Sequence, residues 1–188
     1  TGTPSASVWN LRLSALRAFY DYLFEEEVVS VNPAKRILWQ ETEAPEPIPL
    51  SWEEYLALLE AAETSSAHYR SRNVAIVQVF FHSMLRVSEL TSLNRSIVDF
   101  ERYLFRNVRI KGGKRVSVLF NDLTAGALSD YLADREHFCP IAGEDAVFLS
   151  DRGKRLSVRA VQELMATLAT RAGITRRIHP HLLRHGGA

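Results

Sequence analysis

Apolar residues recur at helical spacing through the first half of the chain. From Ser7 to about Val28 they fall at three- and four-residue steps, which predicts an amphipathic helix. Ser51-Trp52-Glu53-Glu54 is typical of a capping box and opens a predicted helix that ends near Glu63. The next predicted helix, from about Tyr69 to Ser83, is apolar almost all round, so we expect it to be central and buried.

The period of the pattern then shortens to two residues, which is the spacing of a β-strand. Residues 97–101, 104–110 and 115–120 are predicted as strands, and a glycine loop at residues 111–114 joins the last two as a hairpin. Between the buried helix and the first strand, Ser88 is expected to cap a short helix that ends near Asn94.

Helical spacing returns in the last third of the chain. Predicted helices cover residues 124–136 and 157–172, the second capped by Ser157 and stopped by Gly173. Pro180 suits the first turn of a last helix. The sequence therefore predicts a mainly α-helical fold with a small three-stranded antiparallel β-sheet, an α+β arrangement.

A proline- and glutamate-rich stretch divides this pattern. Residues 39–50 read WQETEAPEPIPL, a composition that neither a helix nor a central strand tolerates. We therefore predict a helical piece at residues 1–38, a linker at residues 39–50 and one larger domain at residues 51–188.

The net charge of +1 hides a strong asymmetry. Residues 1–63 hold 4 Lys and Arg against 11 Asp and Glu, whereas residues 64–188 hold 19 against 11. An acidic front and a basic body of this kind indicate contact with nucleic acid or a membrane surface. A hydrophobic share of 46% excludes wholesale disorder.

The single cysteine, Cys139, excludes an intramolecular disulfide framework and fits a reducing compartment. No apolar stretch is long enough to span a membrane, and no signal-peptide pattern opens the chain. We therefore expect a cytoplasmic protein with no membrane partner.

The densest basic signal is the predicted hairpin. Between residues 102 and 115 it has six cations and no acid, namely Arg102, Arg106, Arg109, Lys111, Lys114 and Arg115. A glycine tip lets the backbone approach a ligand closely, and such a hairpin suits a phosphate backbone. The alternative is an exposed hairpin kept soluble by its charge.

A second basic region runs from residue 152 to the end. Arg152, Lys154 and Arg155 stand in a turn before a capped helix, where phosphate contacts are favoured. Arg159 and Gln162 lie three residues apart on that helix, and both types of side chain can read base edges. A solvated helix face is the alternative for these two. Arg176 and Arg177 extend the basic region as further candidate DNA contacts.

Two further groups of residues suit phosphate chemistry. Arg86 follows an apolar helix, so its charge needs a partner such as Glu89 or a bound anion. His181 and Arg184 are three residues apart and so share a helix face. This arrangement suits one phosphate, because the arginine can bind its oxygens in a bidentate manner while the histidine transfers a proton. Plain packing is the alternative for the histidines.

A metal site is a weaker alternative for the same histidines. His181 and His185 have the i, i+4 spacing of a zinc site, with His179 as a third ligand. Residue 182 is Leu rather than Glu, however, and no cysteine or carboxylate lies nearby in sequence. We therefore predict no metal and no cofactor.

Three motifs in this order resemble the catalytic domain of the tyrosine recombinase or phage integrase family, including Xer-type recombinases. They are RNVAIVQVFFHSMLRVSELTSL, VRIKGGKRVSVLF and HPHLLRH. The resemblance covers residues 51 to 185, and residues 7–37 resemble the end of that family's helical core-binding domain.

The resemblance implies a role for each matching residue. Arg86, His181 and Arg184 would bind the scissile phosphate, with Glu89 as the acidic companion of Arg86. Lys111, or Lys114 because this loop is one residue short, would protonate the leaving 5′ oxygen. In the family a tyrosine attacks phosphorus and forms a 3′-phosphotyrosine, so neither a metal nor a nucleotide is needed.

The sequence departs from the family pattern at its end and at one position before Arg86. All six tyrosines precede the His181–Arg184 box, so none matches the nucleophile. Met84 replaces the glycine usual before Leu85-Arg86. We expect a truncated recombinase that binds the DNA of a recombination site, self-associates there, and does not cut. The alternatives are a non-catalytic module that occupies such a site, or a protein-interaction domain that uses the acidic residues 25–27.

Overall fold

The computed structural model describes residues 4–41, 50–110 and 112–176. Two units make up the chain, residues 1–46 and residues 47–188. The division falls inside the stretch of residues 39–50 that the sequence marks as a linker. Among the described residues, no helix is both long and apolar enough to cross a bilayer.

The first unit consists of helix α1, Ala6–Glu25, and a 3₁₀ turn at Pro33–Arg36. Helix α1 ends three residues before the predicted Val28, because Glu27 adopts a left-handed conformation with φ of 59°. Asn32 holds the 3₁₀ turn in place, since its side chain accepts from the Ala34 N–H at 2.9 Å and donates to Asp21 at 2.9 Å.

Five α-helices form most of the described part of the second unit: α2 (Trp52–Glu63), α3 (Ala67–Ser83), α4 (Val87–Thr91), α5 (Asp122–Asp134) and α6 (Val158–Arg171). The predicted capping box at the start of α2 is confirmed, because Ser51 Oγ accepts from the Glu54 N–H and Glu54 Oε2 accepts from the Ser51 N–H. Ser157 caps α6 as predicted, and Gly173 follows its end with φ of 71°. The helix predicted from Pro180 lies outside the described residues.

Helix α3 forms the centre of the second unit. It packs against α2 and α5, and Ile76, Val79 and Phe80 have no solvent exposure. The prediction of a central, buried helix is therefore confirmed. The cap predicted for the next helix is wrong: α4 begins at Val87 with Arg86 as its N-cap residue, so Ser88 lies inside the first turn.

The sheet has the order β1 (Val98–Asp99), β2 (Leu104–Arg109) and β3 (Arg115–Leu119), with both pairs antiparallel. The register shifts between Phe105 and Val108, where Asn107 has φ of 53°. This bulge lets Phe105 and Val108 both face the core, although strict alternation would place them on opposite faces.

The glycine loop closes β2 onto β3 as predicted. The Ile110 N–H donates to the Lys114 carbonyl at 2.9 Å, and the Gly113 N–H donates to the Ile110 carbonyl at 3.1 Å. Gly112 and Gly113 have φ of 89° and 77°, a region that other residues enter only at a cost. Lys111 lies outside the described residues.

The turn before α6 gives a sharp test of packing. Gly153 has φ of 66°, and a Cβ atom there would lie 2.0 Å from the Cys139 carbonyl oxygen. We expect Gly153→Ala to lower the free energy of unfolding by about 2–3 kcal/mol, from backbone strain and overpacking. Gly126→Ala, inside α5 with open space around it, should instead stabilise by about 0.5–1 kcal/mol. Urea denaturation measures both, and equal midpoints would contradict this account of the turn.

Candidate functional site

A sharp turn between α3 and α4 places Arg86 at the surface. Helix α3 ends at Ser83, and Met84 follows as its C-cap residue in a left-handed conformation, with φ of 49° and ψ of 27°. Leu85 is buried and anchors the turn, and Arg86 follows in an extended conformation. Met84 stands where the family pattern has glycine, and its left-handed conformation is the one that glycine adopts at least cost.

Glu89 fixes the side chain of Arg86. Its Oε1 accepts from Arg86 Nη1 at 2.8 Å, and its Oε2 accepts from the Arg86 backbone N–H at 2.8 Å. The Glu89 side chain is only 7% exposed, whereas that of Arg86 is 30% exposed. A guanidinium has five N–H donors, so Arg86 can bind Glu89 and still offer donors to a second anion.

A cavity of about 450 Å³ brings α4 together with the end of β2. It is lined by Arg86, Ser88, Glu89, Ser92, Arg109 and Ile110. The structure thus brings three predicted site residues, Arg86, Glu89 and Arg109, to one place. Two cations against one carboxylate leave this cavity positive at neutral pH.

The sequence analysis did not single out the two serines of the cavity. Ser88 is exposed there, while the Ser92 hydroxyl donates to the Glu89 carbonyl at 2.7 Å. Ser88 and Ser92 have the i, i+4 spacing of residues on one helix face, and that signal is visible in the sequence.

In the β2–β3 hairpin beside the cavity, two positively charged side chains lie directly opposite each other. Arg109 is paired directly with Arg115 across β2 and β3, and both are exposed, as is Lys114. Like charges directly opposite one another destabilise a strand pair. A bound anion would relieve that repulsion, which favours the phosphate interpretation of these three cations.

Arg106 belongs to a different group of cations in the same hairpin. Its Nε donates to Asp99 Oδ2 at 2.9 Å, and the Arg102 backbone N–H donates to Asp99 Oδ1 at 3.1 Å. The hydrogen bonds from Arg106 hold the pKa of Asp99 below its usual value. This pair therefore joins β1 to β2 and lies apart from the Arg86 cavity.

Arg155 is turned into the protein. Its Nη1 donates to the carbonyls of Thr91 and Leu93 at 2.8 and 3.1 Å, and its Nη2 donates to Asn94 Oδ1 at 2.5 Å. These contacts tie the turn before α6 to the end of α4. They favour a structural role for Arg155 over the predicted DNA contact.

The other residues of the second basic region have different surroundings. Arg152 and Lys154 are exposed in the turn, and Gln162 is exposed on α6. Arg159 is 87% exposed and pairs with Glu163 at 2.7 Å, which fits the alternative of a solvated helix face. Arg176 forms an ion pair with Glu54.

Three predicted residues, Arg177, His181 and Arg184, lie outside the described residues together with Lys111. Their predicted roles therefore stay predictions. Within the described ranges, no group of three or more His, Cys, Asp or Glu side chains could hold a metal ion. His179, His181 and His185, the alternative metal ligands, also lie outside those ranges.

Known proteins resemble this chain in sequence over most of its length. The family model described as the phage integrase family matches residues 50–188. Tyrosine recombinase XerC of Chlamydia trachomatis serovar L2 is 33% identical over 175 residues, which cover 93% of this chain and 55% of that protein. Tyrosine recombinase XerC of Actinobacillus pleuropneumoniae serotype 7 is 37% identical over 182 residues, covering 95% and 56%. The chain thus spans just over half the length of these relatives.

Solved structures share the fold. A XerA recombinase aligns with a TM-score of 0.65 and 28% identity, over 97% of this chain and 60% of that one. XerH site-specific recombinase, bound to a palindromic difH substrate, aligns with a TM-score of 0.79 and 21% identity, over 97% and 55%. These alignments, with the helices and sheet described above, confirm the predicted fold class.

The contribution of the buried Glu89 carboxylate to folding can be measured as a change in the free energy of unfolding. We expect Glu89→Gln to lower the free energy of unfolding by about 1–2 kcal/mol, because Arg86 loses the charge that compensates its partial burial. Glu163→Gln, which breaks the exposed pair with Arg159, should change it by less than about 0.5 kcal/mol. Chemical denaturation measures both, and equal effects would show that burial adds nothing to the Arg86–Glu89 pair.

Arg152 and Arg155, both in the turn before α6, should contribute differently to the free energy of unfolding in the same measurement. Arg155→Ala leaves the Thr91 and Leu93 carbonyls without this donor, so we expect a loss of about 2–3 kcal/mol. Arg152→Ala removes an exposed side chain and should stay within about 0.5 kcal/mol of the unmodified chain. A stable Arg155→Ala variant would return Arg155 to the candidate DNA contacts.

Proposed function

The chain belongs to the phage integrase family of tyrosine recombinases, and we propose on that premise that it binds the duplex DNA of a recombination site through its basic second unit. The observation that carries the proposal is the positive cavity shared by Arg86, Glu89 and Arg109. A phosphate diester fits this cavity because it presents an anion to two guanidinium groups whose neighbouring carboxylate is already satisfied.

In this proposal Arg86 donates to the non-bridging oxygens of the phosphate at which strands are exchanged. Glu89 keeps the guanidinium in that orientation through the hydrogen bond from Nη1, while the one from the backbone N–H of Arg86 fixes the carboxylate. The family resemblance adds Lys111 as the donor to the leaving 5′ oxygen, with Lys114 as its alternative, and His181 and Arg184 as further phosphate ligands.

Exposed cations outside the cavity extend the proposed interface. Lys114 and Arg115 in the hairpin, with Arg152 and Lys154 in the turn, would contact the DNA backbone, which positions a protein on the duplex without reading sequence. Gln162 and Arg177 complete the proposed set, whereas Arg159, paired with Glu163, is assigned to the solvated face of α6. Arg176, which forms an ion pair with Glu54, stays a predicted contact.

For a polypeptide of these 188 residues we propose binding without strand cleavage. Its tyrosines all precede the His181–Arg184 box, so none stands where the family's nucleophile stands. The chemistry of the whole enzyme would be attack of a tyrosine on phosphorus, with a 3′-phosphotyrosine as intermediate and no metal or cofactor. One relative of the same fold, lambda integrase, is described as a dimer bound to a core site, and we propose that this chain also self-associates on DNA.

DNA affinity should depend steeply on salt. On logarithmic axes we expect a linear fall, and each of Arg109→Ala, Lys114→Ala and Arg115→Ala should make the slope shallower by about 0.9 per lost phosphate contact. Fluorescence anisotropy with a labelled random-sequence duplex measures this.

Arg70→Ala is the matched control. Arg70 is exposed on α3 and lines a cavity with Glu63, Asp130 and Asp134, an acidic setting that does not attract DNA. Its removal should leave the slope unchanged. Affinity that is independent of salt, or a slope that no hairpin variant alters, would contradict the proposed function.

A further inference from the structure

Arg155 joins the turn before α6 to the end of α4. Its Nη1 donates to the Thr91 and Leu93 carbonyls at 2.8 and 3.1 Å, and its Nη2 donates to Asn94 Oδ1. These three acceptors lie 61 to 64 residues before Arg155 in the sequence. One side chain therefore holds together two segments that are distant along the chain.

The acceptors of Arg155 lie next to the cavity of the candidate site. Thr91 and Leu93 flank Ser92, which lines that cavity. The Ser92 hydroxyl donates at 2.7 Å to the carbonyl of Glu89, which is a second lining residue. Arg155 therefore holds the chain on both sides of a residue of the cavity.

The turn before α6 is closed by its own hydrogen bonds. The Ser150 N–H and the Ser150 hydroxyl both donate to the Lys154 carbonyl, at 2.8 and 3.0 Å. Arg152 and Lys154 are the exposed cations of this turn. Because the turn is closed in this way, the contacts of Arg155 fix the place of both cations relative to the cavity.

Glu144 also holds Arg155, through the backbone. Its Oε2 accepts from the Arg155 N–H at 3.1 Å, and its Oε1 accepts from the Ala146 N–H at 2.9 Å. The hydrogen bonds from Ala146 and Arg155 hold the pKa of Glu144 below its usual value, so this carboxylate stays ionised at neutral pH. Arg155 is thus bound within the protein through both its side chain and its backbone.

We propose that Arg155 is a positioning residue that fixes Arg152 and Lys154 relative to the cavity, so that turn and cavity bind one DNA duplex together. Cations that are already in place lose little further freedom on binding, so each contact contributes more of its free energy to affinity. Arg155 acts through these neighbours and makes no phosphate contact of its own. The inference rests on the proposed function, because it requires that the turn contacts DNA.

A double-mutant cycle on DNA affinity tests the proposal. The parent, Arg155→Lys and Arg106→Lys chains are each compared with and without Arg152→Ala. Lysine at position 155 keeps the charge, but its ammonium does not reproduce the contacts that a planar guanidinium makes with three acceptors. Arg106→Lys is the matched control, because Arg106 is likewise an arginine that ties two segments, β1 and β2, through Asp99.

Coupling between positions 152 and 155 is the expected result. At about 0.1 M salt, Arg152→Ala should lower affinity about five- to tenfold in the parent and Arg106→Lys chains, the effect of losing one phosphate contact. In the Arg155→Lys chain it should lower affinity less than about twofold, because Arg152 is no longer held in place there. The same loss in all three chains would show that Arg155 serves the fold alone and would overturn the proposal.

The proposed function fails in a different way. Affinity that is independent of salt, with no effect of Arg152→Ala in the parent chain, would overturn both DNA binding and the positioning role. A steep dependence on salt with no effect of Arg152→Ala would overturn the positioning role alone, since the turn would then make no contact with DNA.

Amide hydrogen exchange follows the turn directly, without DNA. The Ser150 N–H and the Gly153 N–H both donate to carbonyls within the turn, so their exchange rates report whether it stays closed. Exchange at these two amides should become several-fold faster in Arg155→Lys and should not change in Arg106→Lys. Unchanged exchange in Arg155→Lys would overturn the proposal, even if that chain melts at a lower temperature.

Asn94→Ala extends both measurements to a chain in which no charge changes. It removes the Oδ1 atom that accepts from Arg155 Nη2 and leaves the two carbonyl acceptors. We expect faster exchange at Ser150 and Gly153 in this chain, and a smaller loss of affinity from Arg152→Ala than in the parent. Parent values in both measurements would contradict the positioning role of Arg155.

Discussion

The Arg86–Glu89 pair is the contact on which the rest of the site depends. It lies just after buried helix α3 ends at its left-handed cap residue Met84 and next to buried Leu85, so the core determines its position. A carboxylate that is 7% exposed cannot stay charged there without donors, and it receives both the backbone and the side chain of Arg86. That arrangement satisfies the acid inside the protein and leaves the remaining donors of the arginine near the surface.

Net charge alone does not distinguish the arginines that serve the fold from those that can serve a ligand. Arg135 is 1% exposed and donates to the carbonyls of Glu144 and Ala146, and Arg155 likewise serves carbonyls near the end of α4. Arg109 and Arg115 lie opposite each other in the open hairpin. Hydrogen-bond partners therefore decide the role of each cation, and the excess charge of the second unit overstates its capacity for DNA.

Most local features could be predicted from the sequence, although the cap of α4 could not, and side-chain contacts between distant parts of the chain could not be predicted. The capping box of Ser51, the cap of Ser157 and the glycine hairpin each depend on partners within a few residues. The inward turn of Arg155 depends on acceptors 61 to 64 residues away, and the partner of Arg176 is 122 residues away. The bulge at Asn107 could not be predicted for a related reason, because it depends on how Phe105 and Val108 pack against the core formed by other parts of the chain.

The cation arrangement also explains why this surface suits an anion better than a protein partner. The pairing of Arg109 with Arg115 across two strands raises the energy of the free hairpin, and Arg109 faces the same cavity as Arg86. An apolar partner would bury these charges without compensating them, at a desolvation cost. A phosphate backbone neutralises them and releases counterions from the DNA, so the free energy of binding gains from the same repulsion that destabilises the unbound state. The repulsion between Arg109 and Arg115 would thus favour the proposed binding of DNA.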